Sequence, residues 1–205
     1  AEQDLSAFFR EQGMDMNKLG KAMDGFAKNI LPLPDQAACR AGCTFCCHLR
    51  VGASIPETLV AYSGLNRCLP QGEIDSVRAR ITQAAGDALD EHWWRKEKMA
   101  CPFLDSLGRC MIYGLRPFSC RAYHSTDARI CQKGYDTGKE VKVPCFPLYR
   151  SFTDMYATVF IRAAAQRGLA SFQVGFIKAL ALLFEDDRII DKWLLGEDVF
   201  CPARL

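Results

Sequence analysis

The 205-residue chain has no excess of either charge: its formal net charge is +2, and its Lys and Arg residues are scattered among acids. Without a basic tract or stripe there is no electrostatic basis for nucleic-acid binding. Long apolar runs are missing as well. The best candidate, Ala179 to Phe184, falls far short of the ~18 residues a membrane span requires. The opening AEQDLSAFFREQG has acids and no apolar h-region, so no secretory leader is expected and a cytoplasmic location is. There is no Gly-x-Gly-x-x-Gly loop, P-loop, Gly-x-Ser-x-Gly elbow or His-Glu-x-x-His pair. Histidine is scarce, with three residues. Internal repeats and low-complexity segments are also missing.

Cysteine is abundant: eleven residues in 205. Such a count marks either a disulfide framework or a metal site. Disulfides suit oxidising compartments and small domains short of core. Here apolar residues make up 49% of a chain long enough to bury a core, and the cysteine number is odd. Cys46 and Cys47 are adjacent, and neighbours bridge each other only with strain. The metal reading is favoured.

Hydrophobic periodicity predicts a mainly α fold: a helical shell around a loop-rich cysteine core, with at most a very short β element around Arg109 to Tyr113. A single domain is expected, with a helical arm at 1–35, a metal-binding core at 36–147 and a C-terminal helical hairpin at 148–205. In the arm, Leu19, Met23, Phe26 and Ile30 recur at helical spacing, and Leu5, Phe8 and Phe9 suggest a shorter helix. Ser54-Ile-Pro-Glu57 reads as a capping box with proline in the first turn, opening a helix to about Cys68 that Leu69 to Gly72 breaks. Ile74, Val77, Ile81, Ala84, Ala88 and His92 mark a long amphipathic helix. Further on, Ser151 to Asp154 looks like a helix start, with Phe152, Met155, Tyr156, Val159, Phe160 and Ala163 on one face. A second helix is expected from about Ser171 to Phe184 and a third from Asp186 to Leu195, closed by Gly196.

The cysteines fall into two clusters. In Cys39-Arg-Ala-Gly-Cys43-Thr-Phe-Cys46-Cys47-His48, helical offsets would bring the four sulfurs within an arc of about 100°. In a loop, Cys-x-x-Cys lets two thiolates grip one ion, and Gly42 permits the sharp turn. Cys101, Cys110 and Cys120 are separated by eight and nine residues, which suits loops folding back on a centre. Pro117 fixes the backbone before Cys120. Arg40, Arg50, Arg109, Arg116 and Arg121 lie within a few residues of these cysteines, and only Asp105 opposes them between Cys101 and Arg121. That charge pattern complements a site of net negative charge. Cys131 and Cys145 would complete an eight- or nine-thiol set able to hold two centres. Cys68 and Cys201 read as buried apolar residues or free thiols. His48 and His124 are candidate ligands or polar neighbours, and His92 belongs to the helix stripe.

The segments CRAGCTFCCHL at 39–49 and CPFLDSLGRCMIYGLRPFSCRAY at 101–123 resemble the YkgJ-type cysteine-cluster family, a zinc- or iron-chelating domain. The domain is also similar to part of the flagellin lysine N-methylases, although no segment here resembles a methyl-donor site. The resemblance implies a metal at Cys39, Cys43, Cys46, Cys47, Cys101, Cys110 and Cys120. An iron–sulfur cluster, of the 4Fe-4S type, is expected, with zinc as the alternative. Three functions follow: an iron–sulfur protein with a redox, sensing or enzyme-accessory role; a zinc-stabilised module that binds another protein; and a metal-dependent enzyme acting on a protein side chain. Whether the chain is an enzyme is left open.

Overall fold

A computed structural model describes residues 20, 21, 23–25, 35–87 and 96–205. The expected short helix near Phe8, most of the arm helix, and Ala88, His92, Trp93 and Trp94 lie outside the described residues.

The fold is mainly helical with one two-stranded sheet. Strand β1 (Gly52–Ser54) runs directly into helix α1 (Ile55–Cys68). The junction is the capping box that the sequence announces. The Ser54 hydroxyl accepts the Glu57 N–H at 3.4 Å, and the Glu57 carboxylate accepts the Ser54 N–H at 2.8 Å. Helix α2 (Gln71–Asp87) follows after only Leu69 and Pro70, because the Pro70 carbonyl accepts the Glu73 and Ile74 amides and starts the next helix at once. Short helices α3 (Phe118–Ala122) and α4 (Ala128–Thr137) belong to the cysteine-bearing middle of the chain.

Helix α5 (Pro147–Ala165) begins four residues before the expected Ser151, since Pro147 suits the first helical position. Its buried face holds Thr153, Tyr156, Val159, Phe160, Ala163 and Ala164, whereas Phe152 and Met155 are exposed. Thr153 can take a buried position because its hydroxyl donates to the Tyr149 and Arg150 carbonyls. The expected helix from Ser171 begins instead as strand β2 (Gln173–Gly175) and becomes α6 at Phe176–Glu185. Helix α7 (Ile189–Leu194) completes the set, and Gly196 follows with φ of 90°.

The strands pair antiparallel, with Ala53 opposite Val174. Each feeds a helix, and α1 and α6 pack together with α2 over a core that includes Ile55, Leu59, Val77, Ile81, Leu180 and Trp193. Helices α3 and α5 meet across the other side of α1, where Met23, Val60, Phe118, Tyr156 and Phe160 form a second buried cluster. The expected strand at Arg109 to Tyr113 is a single antiparallel bridge between Leu104 and Cys110. Among the described residues no helix is long and apolar enough to cross a membrane.

Candidate metal centre

The two cysteine segments are tied together by their backbones. Gly42, with φ of 85°, turns the chain so that the Cys43 amide reaches the Arg40 carbonyl at 3.0 Å. A 3-10 turn at Phe45–His48 carries Cys46 and Cys47, started by the Cys47 amide donating to Thr44. The Cys101 N–H then donates to the Cys47 carbonyl at 2.7 Å, joining the first cluster to the second. Asp105 organises the loop between Cys101 and Cys110. Its carboxylate accepts the Leu107 and Arg109 amides and pairs with the Arg109 guanidinium at 2.8 Å. These donors hold the Asp105 carboxyl below the usual range.

Cys120 sits in α3, and that helix is anchored from behind. The Phe118 N–H donates to the buried Glu57 carboxylate at 2.7 Å. The capping residue of α1 therefore also fixes the start of the helix carrying Cys120.

All eleven cysteines are free thiols. Cys39, Cys43, Cys46, Cys47, Cys101, Cys110 and Cys120, and with them Cys131 and Cys145, line one cavity of about 1500 Å³. Cys68 and Cys201 are exposed elsewhere. Among the described residues no three His, Cys, Asp or Glu side chains are gathered around a point as a preformed site for one ion. The sulfurs thus stand in the cavity wall, and holding an ion requires them to close on it.

Burial and mutual proximity hold Cys39, Cys46, Cys101, Cys110, Cys120, Cys131 and Cys145 in the protonated form. The hydrogen bond that the Cys46 thiol donates to Cys47 is the largest influence raising Cys46, followed by burial. Burial raises Cys101 and Cys110, and it pushes Cys120 up to about 12. Arg116 opposes this at Cys39, Cys46, Cys110 and Cys120, stabilising their thiolates. Its guanidinium lies over the Tyr113 ring at 3.6 Å while Nε donates to the Tyr113 carbonyl. Arg40, Arg50, Arg80, Arg109 and Arg150 line the same cavity. Arg121, by contrast, turns to backbone carbonyls of Arg116 and Gly114 and to Asp24.

His48 and His124 both border the cavity. His48 Nδ1 lies 3.0 Å from the Thr44 carbonyl oxygen, and the ring packs edge-on to Tyr135. His124 is buried with its Nδ1 unpartnered among the described residues. Burial lowers both imidazoles, favouring the neutral form that ligates metals.

Sequence reasoning left Cys131 and Cys145 undecided, since neither has a partner at ligand spacing. It also missed Ser125 and read Glu57 only as a helix cap, since the importance of both for the site lies in contacts distant along the chain.

A family model named CxxCxxCC, described as "Putative zinc- or iron-chelating domain", matches residues 38–145. The match begins one residue before the first cavity cysteine and ends on the last, Cys145. No curated protein and no solved structure matches the chain.

Proposed function

The chain belongs to this CxxCxxCC family, and from that premise we propose that it is an iron–sulfur protein whose cavity thiols hold a 4Fe-4S cluster serving a redox or sensing role. The observation that carries the reading is the number of free thiols around one cavity, nine, against the four that close a structural zinc site. Polynuclear iron–sulfur centres are held by cysteine thiolates, so the donor chemistry fits. When bound, such a cluster supplies one-electron chemistry.

The chain's own residues are suited to three tasks. Cys46, Cys47, Cys101, Cys110 and Cys120, joined by the Cys101–Cys47 backbone bond, supply sulfur from two segments. Arg116 and the other cavity arginines compensate the negative charge of a thiolate-bound cluster. The backbone amides of Phe103 and Ile112 favour the thiolate forms of Cys101 and Cys110, an influence of the kind that tunes cluster potential.

Anaerobic purification followed by iron, zinc and acid-labile sulfide analysis tests the proposal. A brown protein with about equal iron and sulfide supports it. A colourless protein containing zinc without sulfide rejects it and favours a zinc-stabilised interaction module.

A further inference from the structure

The chain is nearly neutral as a whole, yet its charge is unevenly spread. Eight of its 26 Lys and Arg residues and three of its 24 acids line the metal cavity, so the wall carries a formal +5 and the rest of the sequence −3. A cluster on four thiolates, of net charge about −2, leaves that wall positive. Within it Arg109 is paired with Asp105. Arg40, Lys139, Lys142 and Arg150 are exposed and pair with no carboxylate among the described residues.

The fold gathers these cations although they lie far apart in sequence. Ser125 and Thr126 form the knot. The Ser125 N–H donates to the Cys39 sulfur at 3.3 Å, and its carbonyl accepts the Ala38 N–H at 2.8 Å. Ser125 also forms an antiparallel bridge with Cys145, and the Thr126 N–H donates to the Pro144 carbonyl at 2.9 Å. Arg40 and Lys142, two residues from Ala38 and Pro144, are thereby brought together, and Arg150 follows in the first turn of α5. The strap that carries the two lysines is itself seated. Gly138, with φ of 64°, turns the chain at the end of α4, and Val141 packs so closely on Gly134 that a Cβ there would stand 2.7 Å from the valine Cγ2.

Apolar anchors accompany the cations. Tyr113 is 63% exposed with the Arg116 guanidinium over its ring, and Leu107, on the loop between Cys101 and Cys110, is 66% exposed. Tyr and Arg are residue types that protein interfaces favour. A polynucleotide would extend past the rim over residues of net negative charge, and these cations form no stripe to follow its backbone. A compact acidic face meets the cations alone.

We propose that this rim docks a partner protein through an acidic face, whose Asp and Glu carboxylates meet Arg40, Lys139, Lys142 and Arg150 over the metal cavity. The inference goes beyond the redox reading and does not depend on which metal the thiols hold.

The probe is a fluorescein-labelled decaglutamate peptide, titrated by anisotropy against the anaerobically purified protein, with decaglutamine and a DNA single strand of equal length alongside. Decaglutamate should bind and decaglutamine should not. Its Kd should rise about tenfold between about 20 and 200 mM salt, and about tenfold in Lys139→Glu/Lys142→Glu. Lys178→Glu, an exposed change on α6 outside the cavity, should stay within about twofold of the parent. Metal content equal to the parent's shows that the double variant is folded. Acetylation of the parent, mapped by mass spectrometry, needs no variant: decaglutamate should shield Lys139 and Lys142 and leave Lys178 as reactive as before. Equal binding of decaglutamine, an unchanged Kd in the double variant, or no shielding of the two strap lysines overturns the docking surface. Tighter binding of the DNA strand overturns it in favour of a nucleic acid. Decaglutamate binding to a zinc protein without iron or sulfide upholds this surface while rejecting the iron–sulfur proposal.

Discussion

Glu57→Ala should damage the metal centre from a distance. Glu57 is 1% exposed and its carboxylate accepts the Ser54 N–H at 2.8 Å, the Ser54 hydroxyl at 2.6 Å and the Phe118 N–H at 2.7 Å. Truncation removes both accepting oxygens and with them all three hydrogen bonds. The hydroxyl can reorient, but two buried amides are left unpaired, each costing about 1–3 kcal/mol, so ~4 kcal/mol is expected in total. That is a large share of the 5–15 kcal/mol typical of a domain. The damage should also be directed, because Phe118 opens the helix bearing Cys120. Glu57→Gln retains one accepting oxygen and should lose about half as much. Denaturant unfolding of the metal-loaded proteins, with iron release followed in parallel, reads both effects. Glu57→Ala unfolding within ~1 kcal/mol of the parent and keeping its iron would refute the reasoning.

Four further outcomes are expected. Cys46→Ala and Cys110→Ala should each lose metal, because removing one donor leaves the remaining thiolates uncompensated; full metal content in both would reject them as ligands. Cys201→Ala should retain its metal, since Cys201 is exposed away from the cavity; metal analysis on the same preparation checks this. Metal affinity should rise with pH through the neutral range, because burial holds Cys39, Cys110 and Cys120 protonated. Each displaced proton then contributes about tenfold per pH unit; a flat profile in a metal-competition titration would contradict it. Arg116→Gln removes a cation that favours four thiolates, so the cluster's reduction potential should fall by ~40 mV, taking about 1 kcal/mol for the lost interaction. Redox titration of both proteins measures it.

Local signals in the sequence carried much of this fold. Ser54 and Glu57 announce α1 because a capping box needs only residues three apart, and Gly196 closes α7 by a similarly local rule. The two strands were not legible. Gly52–Ser54 and Gln173–Gly175 are three residues each, too short for alternation to register, and they exist through pairing across more than a hundred positions. Helix α5 misled for a related reason: Phe152 and Met155 share helical spacing with the buried residues, but the hydrogen-bonded Thr153 takes a place in the buried face.

The candidate site divides the same way. The cluster from Cys39 to Cys47 is dense enough to imply converging sulfur by itself. Cys131 and Cys145 are isolated in sequence, and only the fold brings them to the cavity through Ser125. Glu57 gave a correct local reading as a cap, but its bond to Phe118 spans sixty-one residues, beyond any spacing rule.

Alkylation of the metal-loaded native protein, mapped by mass spectrometry before and after chelation, tests the central claim most directly. The account predicts that only Cys68 and Cys201 are modified at first, and that the nine cavity cysteines become reactive once the metal is removed. Rapid modification of Cys46, Cys101, Cys110 and Cys120 while metal remains bound would contradict it.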